Sequence, residues 1–437
     1  MNQKLNIFWF RRDLRLEDNV GLYYALEGTY PVLPIFIFDT EILDELPKDD
    51  ARVTFIHKTL QKLKEELQTN YKSDIAIYNG KPLDVFKDLI TSFKIDSVFT
   101  NHDYEPYTKE RDTEIENFLT KNDISFKTFK DQVIFEKDEV IKADGKPYLV
   151  YTPYMKTWKV KFYKETLKTY NTKSLLNNLL LIQNVQNVTQ ISLEDLGFIQ
   201  SKQEIPDYTV DSKLIQTYEA TRNFPAKDST SKLGPHLRFG TVSIRKIVQK
   251  AIAETNEIFW QELIWREFFI QILWHFPQTV YSSFKPKYDH IKWRNNKEEF
   301  QLWCQGETGY PLVDAGMRQL NKTGFMHNRV RMLVGSFLCK HLLIDWRWGE
   351  AYFAEKLHDY EMASNIGNWQ WVAGCGVDAA PYFRIFNPTT QIQKFDKDLK
   401  YIEQWVPEFQ ELTYPAPIVD HKEARERCLR VYKEALQ

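Results

Sequence analysis

Short runs rich in β-branched and aromatic residues alternate with helical patterns through the first 130 residues of the chain. The predicted strands cover 5–10, 32–38, 75–78, 97–100 and 126–129, and the helical segments lie near 19–27, 50–69, 82–93 and 106–121. Strands that alternate with helices in this way predict an α/β fold with a parallel, doubly wound sheet covered on both faces. No G-x-G-x-x-G sequence follows these strands, which argues against a dinucleotide at the turn after the first strand.

The remainder of the chain shows a different pattern of residues. The strand–helix rhythm weakens after residue 130, and the stretch 164–205 is rich in Asn, Lys, Gln and Thr, as a surface connector would be. From residue 208 onward, aromatic-rich helical patterns follow one another without a convincing strand or an internal repeat. The 437 residues are therefore predicted to form an α/β domain at 1–130, a linker at 131–205 and a helical domain at 206–437.

Charge, cysteine content and hydropathy exclude several classes of protein. The formal net charge of −2 excludes a uniformly basic coat for nucleic acid, although a local basic groove would still suffice for binding. The four cysteines lie far apart without metal-ligand spacing, which favours a reduced cytosolic protein without disulfides or a zinc site. The first residues lead directly into a predicted strand, and no apolar run reaches membrane-spanning length, so we expect neither a signal peptide nor a membrane anchor.

The stretch that begins at Asp359 is the richest in candidate chemistry. It contains the carboxylates of Asp359 and Glu361, the amide of Asn365 and the indoles of Trp369 and Trp371. Asn365 and Trp369 are four residues apart and therefore share one face of a helix. A redox cofactor requires polar groups that fix a ring and indoles across which electrons can hop, so this stretch predicts such a site.

A second stripe of candidate residues precedes it. At positions i, i+3, i+4 and i+7 of a predicted helix stand Glu262, Trp265, Arg266 and Phe269. A carboxylate, an indole and a guanidinium on one stripe suit a site that stacks a ring and hydrogen-bonds its edge. A core helix with a buried Glu–Arg pair would show the same pattern, so both interpretations stay open at this point.

One segment of the helical half carries charge of a single sign. Between residues 315 and 344 there is no acidic residue, and the basic residues are Arg318, Lys322, Arg329, Arg331 and Lys340. A basic strip flanked by aromatic residues is what a phosphate backbone with stacked bases requires. A solvated helix face gives the same pattern.

Two further patterns are weaker on their own. Two hydroxyls and a lysine precede a predicted helix, where they would form either a phosphate-binding loop or a helix cap. The run comprises Thr230, Ser231, Lys232, Leu233 and Gly234. The helical half also contains the tryptophans Trp293, Trp346 and Trp369. They would either fill a core or carry electrons.

Together these motifs resemble those of the photolyase/cryptochrome family along essentially the whole chain. The matching stretches are 8–15, 262–269, 309–320, 327–332 and 359–388. The nearest likeness is to the class I type of DNA photolyase, which repairs cyclobutane pyrimidine dimers. The resemblance implies a U-shaped FAD buried in the helical domain and dimer-containing DNA bound over it. It also implies a cytoplasmic monomer without an obligate protein partner, associated with the nucleoid when bound to DNA.

The resemblance implies roles for individual residues, carried across position by position. The expected FAD contacts are Tyr218, Thr230, Ser231, Lys232, Leu233, Gly234, Trp260, Arg266, Asp359, Tyr360, Glu361 and Asn365. The residues expected to bind DNA and its lesion are Glu262, Trp265, Arg266, Asn328, Arg329, Arg331, Met332 and Trp371. Those expected to act in catalysis are Glu262, Asn328, Met332 and Asn365, and the expected electron relay runs through Trp369, Trp346 and Trp293.

The implied reaction is a light-driven cleavage of carbon–carbon bonds, in which excited, reduced FAD lends an electron to the dimer and recovers it. Glu262 can donate to the carbonyl edge of the dimer if it is protonated, and Asn365 can face the flavin without adding negative charge. Asn328 stands where enzymes for (6-4) lesions carry a second His. Plant cryptochromes carry an apolar residue in the place of Trp265 and Asp in the place of Asn365. All three positions favour dimer repair.

Three alternatives stay open. A blue-light photoreceptor of the cryptochrome type would use the same FAD pocket and Trp relay, although the short sequence after residue 425 disfavours it. A repair enzyme for (6-4) lesions, or for dimers in single strands only, would share most of the motifs. A helical nucleic-acid-binding protein without a cofactor would leave Asp359, Asn365 and the Trp relay unexplained.

Some positions depart from the family pattern. Lys232 stands where Arg is usual, Gly234 where Ser is usual, and Glu361 where Asp is usual. Each keeps the charge or leaves binding to the backbone, so FAD is still expected. In the stretch 101–112, Tyr107 and Thr108 replace the Asn-Glu pair of folate-binding members. A folate antenna is therefore not expected, and the identity of any second antenna chromophore, a deazaflavin or FMN among the choices, stays open.

Overall fold

The computed structural model of the chain describes residues 3–181 and 191–437. Within these residues the strands are β1 (Lys4–Phe10), β2 (Val32–Asp39), β3 (Ala76–Gly80), β4 (Lys94–Asn101) and β5 (Ser125–Phe129). The helices up to residue 252 are α1 (Val20–Leu26), α2 (Thr40–Leu43), α3 (Ala51–Tyr71), α4 (Pro82–Ser92), α5 (Pro106–Lys121), α6 (Tyr151–Lys164), α7 (Ser212–Thr221), α8 (Gly234–Arg238) and α9 (Ile244–Ile252).

The later helices are α10 (Ile258–His275), α11 (Lys297–Gln305), α12 (Pro311–Thr323), α13 (Asn328–Ser336), α14 (Trp346–Lys356), α15 (Met362–Ala373), α16 (Pro388–Phe395), α17 (Lys400–Trp405) and α18 (His421–Leu436). Short 3-10 turns cover Thr172–Asn178, Pro277–Val280 and Pro286–His290, and a π-helical turn covers Phe337–His341. No helix among the described residues is long and apolar enough to cross a membrane.

The chain forms two compact units. The N-terminal unit comprises Met1–Glu136, Lys161–Tyr208 and Lys232–Lys250, and the helical unit comprises Lys137–Val160, Thr209–Ser231 and Ala251–Gln437. The predicted linker at 131–205 contains α6 and a 3-10 turn, and its residues 182–190 lie outside the described part of the chain. The domain limits at 130 and 205 stay predictions.

The strands form one parallel sheet in the order β3-β2-β1-β4-β5. Alternate residues of β1 enter two different cores, with Phe8 and Phe10 on one face and Ile7 and Trp9 on the other. Burial on both faces explains why β1 is almost continuously apolar. The predicted doubly wound parallel sheet is confirmed.

Helix starts in this unit follow from local sequence. Pro82 and Pro106 stand at the first positions of α4 and α5, where the N–H that proline lacks would have no intrahelical acceptor. Asp50 caps α3 by accepting a hydrogen bond from the backbone N–H of Arg52. Such signals explain why the predicted helical segments agree with the observed ones to within a few residues.

The helical unit is built from helices without a strand in its described residues, as predicted for this part of the chain. Its core holds several large side chains that are at most 3% exposed, among them Trp303, Phe337, Trp346 and Trp369. The cysteines Cys304, Cys339, Cys375 and Cys428 are buried as free thiols.

Glycines allow α15 to approach its neighbours closely. A β-carbon added at Gly349 of α14 would lie 2.1 Å from the ring of Trp369, and one added at Gly367 of α15 would lie 2.2 Å from the ring of Phe269. Side chains cannot come that near, so both positions require glycine.

A buried network of charges fixes the loop after β1 within the N-terminal unit. Asp131 accepts hydrogen bonds from the guanidiniums of Arg15 and Arg245, each at 2.8 Å, and Arg245 also donates to Asp18 at 2.8 Å. Burial alone would raise the pKa of Asp131, but Arg15 and Arg245 hold it below its ordinary value. The ionised carboxylate therefore stabilises the folded state.

Replacing Asp131 by Asn should lower the free energy of unfolding by about 3–5 kcal/mol, because two buried guanidiniums lose their shared anion. Urea titration measures this change. Since the pKa of Asp131 is lowered by folding, its contribution is present above about pH 4 and is lost as the pH falls, so the variant should lack this part of the acid dependence.

A matched control is Asp84→Asn, because Asp84 is an exposed partner of Lys87 and its charge should not affect the unfolding midpoint. Equal midpoints for the wild type and Asp131→Asn would contradict the stabilising role of this network.

Candidate active site

A cavity of about 350 Å³ lies within the helical unit, bordered by α10, α13, α14 and α15. The predicted site residues on its walls are Glu262, Trp265, Arg266, Asn328, Arg331, Met332, Asp359, Tyr360, Glu361, Asn365, Trp369 and Trp371. The other lining residues are Arg222, Phe269, Gly335, Phe353, Leu357, Ser364, Asn368 and Val372. Helices distant in sequence thus bring much of the predicted constellation together.

The stripe predicted on α10 lies on one face, since all four of its members line the cavity. Both of its charges are paired, but with residues outside α10. Glu262 accepts a hydrogen bond from Arg222 Nη1 at 2.5 Å, and Arg266 Nη2 donates to Glu361 Oε1 at 3.0 Å. Glu262 and Arg266 thus each belong to a Glu–Arg pair, but the two residues are not paired with each other.

Burial raises the pKa of the Glu262 carboxyl, and the Arg222 guanidinium opposes that rise. A carboxyl with a raised pKa keeps its proton to higher pH and can then donate a hydrogen bond. Arg222 follows the last residue of α7, and no sequence motif indicated it. Only its long-range contact with Glu262 identifies it.

The predicted basic strip does not form a continuous surface. Arg331 donates through Nη1 and Nη2 to the two carboxylate oxygens of Asp359, at 3.1 and 2.8 Å. Arg318 forms an ion pair with Glu408, and Lys340 is only 1% exposed. The basic residues are therefore not one exposed strip, because the segment divides into α12, α13 and the π-helical turn. Their binding to DNA stays a prediction.

The amide of Asn365 is held by a residue that sequence reasoning missed. Its Nδ2 donates to the backbone carbonyl of Glu350 at 3.1 Å and to Glu350 Oε1 at 2.9 Å. Burial raises the pKa of Glu350, and the Asn365 hydrogen bond opposes the rise. The amide carbonyl of Asn365 is then the atom that can accept a hydrogen bond from a bound ring.

The indole of Trp369 continues from the cavity wall into the core. Its ring centre lies 4.9 Å from that of Phe353 and 6.2 Å from that of Trp303, both in edge-to-face geometry. Trp346 is the first residue of α14, the helix whose Gly349 touches Trp369. Trp293, the outermost member of the predicted relay, packs edge-on against Tyr432 at 6.0 Å. The order of electron transfer among these rings stays a prediction.

Two other indoles, those of Trp265 and Trp371, also line the cavity. Trp265 stacks face to face on Tyr151, with ring centres 3.6 Å apart and planes inclined by 8°. The guanidinium of Arg384 lies 6.0 Å from the ring of Trp371. Sequence reasoning missed Tyr151 because it falls in the predicted linker, where no motif marked it.

Arg329 and Met332 lie on α13, and of the two only Met332 is among the residues that line the cavity. Arg329 Nη2 donates to Asn223 Oδ1 at 2.5 Å, and its Nη1 approaches Met332 Sδ at 3.5 Å. Burial lowers the pKa of Arg329, and the positive charges of Arg222 and Arg384 lower it further. The guanidinium of Arg329 is thus near enough to those of Arg222 and Arg384 to be repelled by both.

Other predicted cofactor contacts lie elsewhere in the described chain. Tyr218 on α7 packs edge-on against Phe259 at 5.3 Å, and Trp260 on α10 packs against Trp158 at 5.6 Å. Of the predicted phosphate-binding loop, Thr230 and Ser231 belong to the helical unit, whereas Lys232, Leu233 and Gly234 belong to the N-terminal unit. These contacts stay predictions.

The donors around the cavity suit a planar redox ring. Asn365 and the Arg331–Asp359 and Arg266–Glu361 pairs offer polar atoms for the edge of a ring, and indoles offer stacking faces. In residues 3–181 and 191–437, no three His, Cys, Asp or Glu side chains are grouped so that they could hold a metal ion. The fit is to an organic cofactor such as the expected flavin.

Comparison with known proteins agrees with this site. Residues 6–171 match the DNA photolyase family, and residues 259–413, which include most of the cavity walls, match the FAD binding domain of DNA photolyase. The chain is 36% identical to a deoxyribodipyrimidine photo-lyase of Agrobacterium fabrum, over 98% of this chain and 97% of that one.

Solved structures are similar over nearly the full length. A class III photolyase from Agrobacterium tumefaciens has a TM-score of 0.89 at 34% identity, covering 100% of this chain and 98% of that one. An archaeal photolyase from Sulfolobus tokodaii, solved with two FAD molecules, has a TM-score of 0.85 at 34% identity, covering 98% and 99%. A Synechocystis cryptochrome has a TM-score of 0.86 at 25% identity, with the same coverage. The chain therefore belongs to the DNA photolyase family, and its helical unit contains that family's FAD-binding domain.

Proposed function

We propose that this protein repairs DNA by splitting cyclobutane pyrimidine dimers under light. The observation that carries the proposal is a single cavity whose lining contains two sets of side chains. One set comprises Asn365 and the Arg331–Asp359 ion pair, and the other comprises Glu262, Trp265 and Trp371. The first suits a flavin and the second suits a pair of pyrimidines, so that donor and acceptor of an electron would be close together. The name of the Agrobacterium fabrum relative supports the same substrate.

The cofactor would be held by polar side chains that are already in place. Glu350 orients the amide of Asn365, and Asp359 keeps the guanidinium of Arg331 in a fixed plane through two hydrogen bonds. Glu361 accepts a hydrogen bond from the guanidinium of Arg266. When bound in its reduced form, FAD supplies the electron that opens the dimer after light absorption and that returns afterwards. No net oxidation or reduction results.

The lesion would enter the cavity out of the duplex, as photolyases are among the enzymes that take their target base out of the stack. Trp265 and Trp371 offer faces on which pyrimidines stack. If binding of the lesion breaks the ion pair with Arg222, a protonated Glu262 would donate to a pyrimidine carbonyl, and Asn328 and Met332 also line the cavity. Burial favours that protonated form, since it raises the pKa of Glu262.

DNA phosphates would be bound by arginines rather than by the whole basic strip of the sequence. Arg329 lies close enough to Arg222 and Arg384 to be repelled by both. An anionic backbone nearby would relieve that repulsion and release counterions on binding. Arg331 is engaged by Asp359, so we assign the predicted phosphate contact to Arg329 first.

A second chromophore would bind in the N-terminal unit. The Sulfolobus tokodaii relative contains two FAD molecules, which supports an additional antenna in this family. Here the side chain of Tyr107 donates to Asp39 at the carboxyl end of β2, at 2.6 Å. Ligands of doubly wound sheets bind at this edge. The identity of the chromophore stays open.

The deciding experiment is the illumination of a dimer-containing oligonucleotide with the purified FAD-loaded protein. Repair, measured as loss of the dimer by chromatography, should occur in blue light and not in the dark. A (6-4) oligonucleotide and a single-stranded dimer serve as comparison substrates. Photoreduction of FAD without loss of the dimer would contradict the proposal and favour a photoreceptor, and selective repair of the (6-4) lesion would contradict the proposed substrate.

Trp369→Phe should remove most of the photoreduction of bound FAD, because electrons from the surface would lose the indole that lines the cavity. Flash spectroscopy in the presence of a thiol measures this rate. Dimer repair by enzyme that has been reduced chemically beforehand should continue at nearly the wild-type rate. Trp405→Phe, on α17 and outside the cavity lining, is the matched control and should photoreduce normally. Equal loss of photoreduction and repair in Trp369→Phe would contradict a relay role.

Glu262→Ala should lower the repair yield about two- to tenfold, the usual value of one hydrogen bond. Because the pKa of Glu262 is raised, the protonated donor is present at low pH and is lost as the pH rises through that pKa. Wild-type repair should therefore decline with rising pH, whereas Glu262→Gln, which donates at every pH, should give a flatter profile. Identical pH profiles for the two proteins would exclude the protonated carboxyl.

A further inference from the structure

We propose that Tyr151 is a positioning residue that holds Trp265 as a fixed stacking platform for the lesion. This inference rests on the proposed function, because damaged DNA is the ligand that Trp265 would stack. It concerns a residue from the predicted linker, at the first position of α6.

The contact between the two rings is unusually complete. Their centres are 3.6 Å apart and their planes differ by 8°, so the phenol covers one face of the indole. Trp265 lines the cavity, whereas Tyr151 lies behind it and is only 6% exposed. Phe268 closes the side of this stack, with its ring edge-on to both Trp265 at 5.6 Å and Tyr151 at 5.9 Å. The indole therefore cannot turn about its side-chain bonds without displacing two buried rings.

Tyr151 is itself fixed at two points. Its hydroxyl donates to the backbone carbonyl of Gln261 at 2.7 Å, which ties it to α10 one turn before Trp265. Its backbone N–H donates to Asp378 Oδ2 at 3.1 Å. The first N–H groups of a helix have no acceptor within the helix, so the Asp378 carboxylate caps α6 from a distant loop. That loop follows α15, the helix that carries Trp371.

The physical consequence concerns binding rather than chemistry. A large side chain that is free in an open cavity must be ordered when a ligand stacks on it, and this weakens binding. Tyr151 orders Trp265 in advance. Loss of that ordering should weaken the affinity for a flipped pyrimidine by about three- to tenfold, the amount associated with one immobilised side chain. Once the lesion is bound, the yield of ring opening should be unaffected.

The test compares Tyr151→Leu with the wild type in the full-length, FAD-loaded protein. The dissociation constant is measured by anisotropy with a fluorescent duplex that carries one thymine dimer, and the repair yield is measured at saturating DNA. We expect the dissociation constant to rise about three- to tenfold and the yield to stay constant. Tyr151→Phe, which keeps the ring and loses only the hydroxyl, should raise the dissociation constant less than Tyr151→Leu does.

A double-mutant cycle distinguishes positioning from a general loss of structure. If Tyr151 acts through Trp265, Tyr151→Leu should have no further effect on dimer affinity in a Trp265→Leu background. The matched control is Tyr163→Leu, on the same helix but 69% exposed, which should bind like the wild type. Equal weakening by Tyr151→Leu in both backgrounds would overturn the inference.

A second variant tests the inference if Tyr151→Leu does not fold. It removes the hydrogen bond between the backbone of Tyr151 and Asp378. Asp378→Gly removes the cap of α6 and is compatible with the left-handed backbone at that position, where φ is +47°. It should weaken dimer binding in the same direction and leave the repair yield unchanged. Wild-type affinity in Asp378→Gly, or a lowered yield at saturating DNA in any of these variants, would overturn the inference. A wild type that neither binds nor repairs dimers would instead contradict the proposed function.

Discussion

The close approach of α14 and α15 is the constraint on which the cavity depends. Gly349 has no side chain, so Trp369 can lie against the backbone of α14, where a β-carbon would be 2.1 Å from its ring. The next residue, Glu350, accepts two hydrogen bonds from the amide of Asn365. Two consecutive residues of α14 therefore fix the positions of both an indole and an amide on α15. A shift of α14 would move both together.

Local sequence predicted those features that depend on short-range periodicity. The stripe on α10 and the shared face of Asn365 and Trp369 follow from helical spacing, and the strand limits follow from β-rich runs between turn residues. The family motifs then indicated which helices meet. Tyr151, Arg222 and Glu350 could not be found this way, because each acts through a contact with a residue distant along the chain or on another helix. The interruption of the basic strip could not be found for the same reason, since Asp359 and Glu408 neutralise two of its arginines from outside the segment.

Charges around the cavity occur in pairs of opposite sign. Arg331 pairs with Asp359, Arg266 with Glu361, and Arg222 with Glu262. Removing one member of such a pair leaves an uncompensated charge, and this costs more than the pair contributes. The pairs therefore fix the polar atoms of the cavity without giving it a strong net charge. Aromatic rings fill the space between them, so the site combines fixed hydrogen-bonding atoms with large apolar faces.

The π-helical turn makes the free energy of unfolding depend on pH in the alkaline range. Its Lys340 is almost fully buried and donates from Nζ to the backbone carbonyl of Arg384 at 2.8 Å. Burial lowers the pKa of Lys340 to about 8. Because the unfolded chain keeps this ammonium charged to about pH 10, folding releases a proton between these two values. Between about pH 8 and pH 10, a rise in pH should therefore raise the free energy of unfolding through this one buried amine.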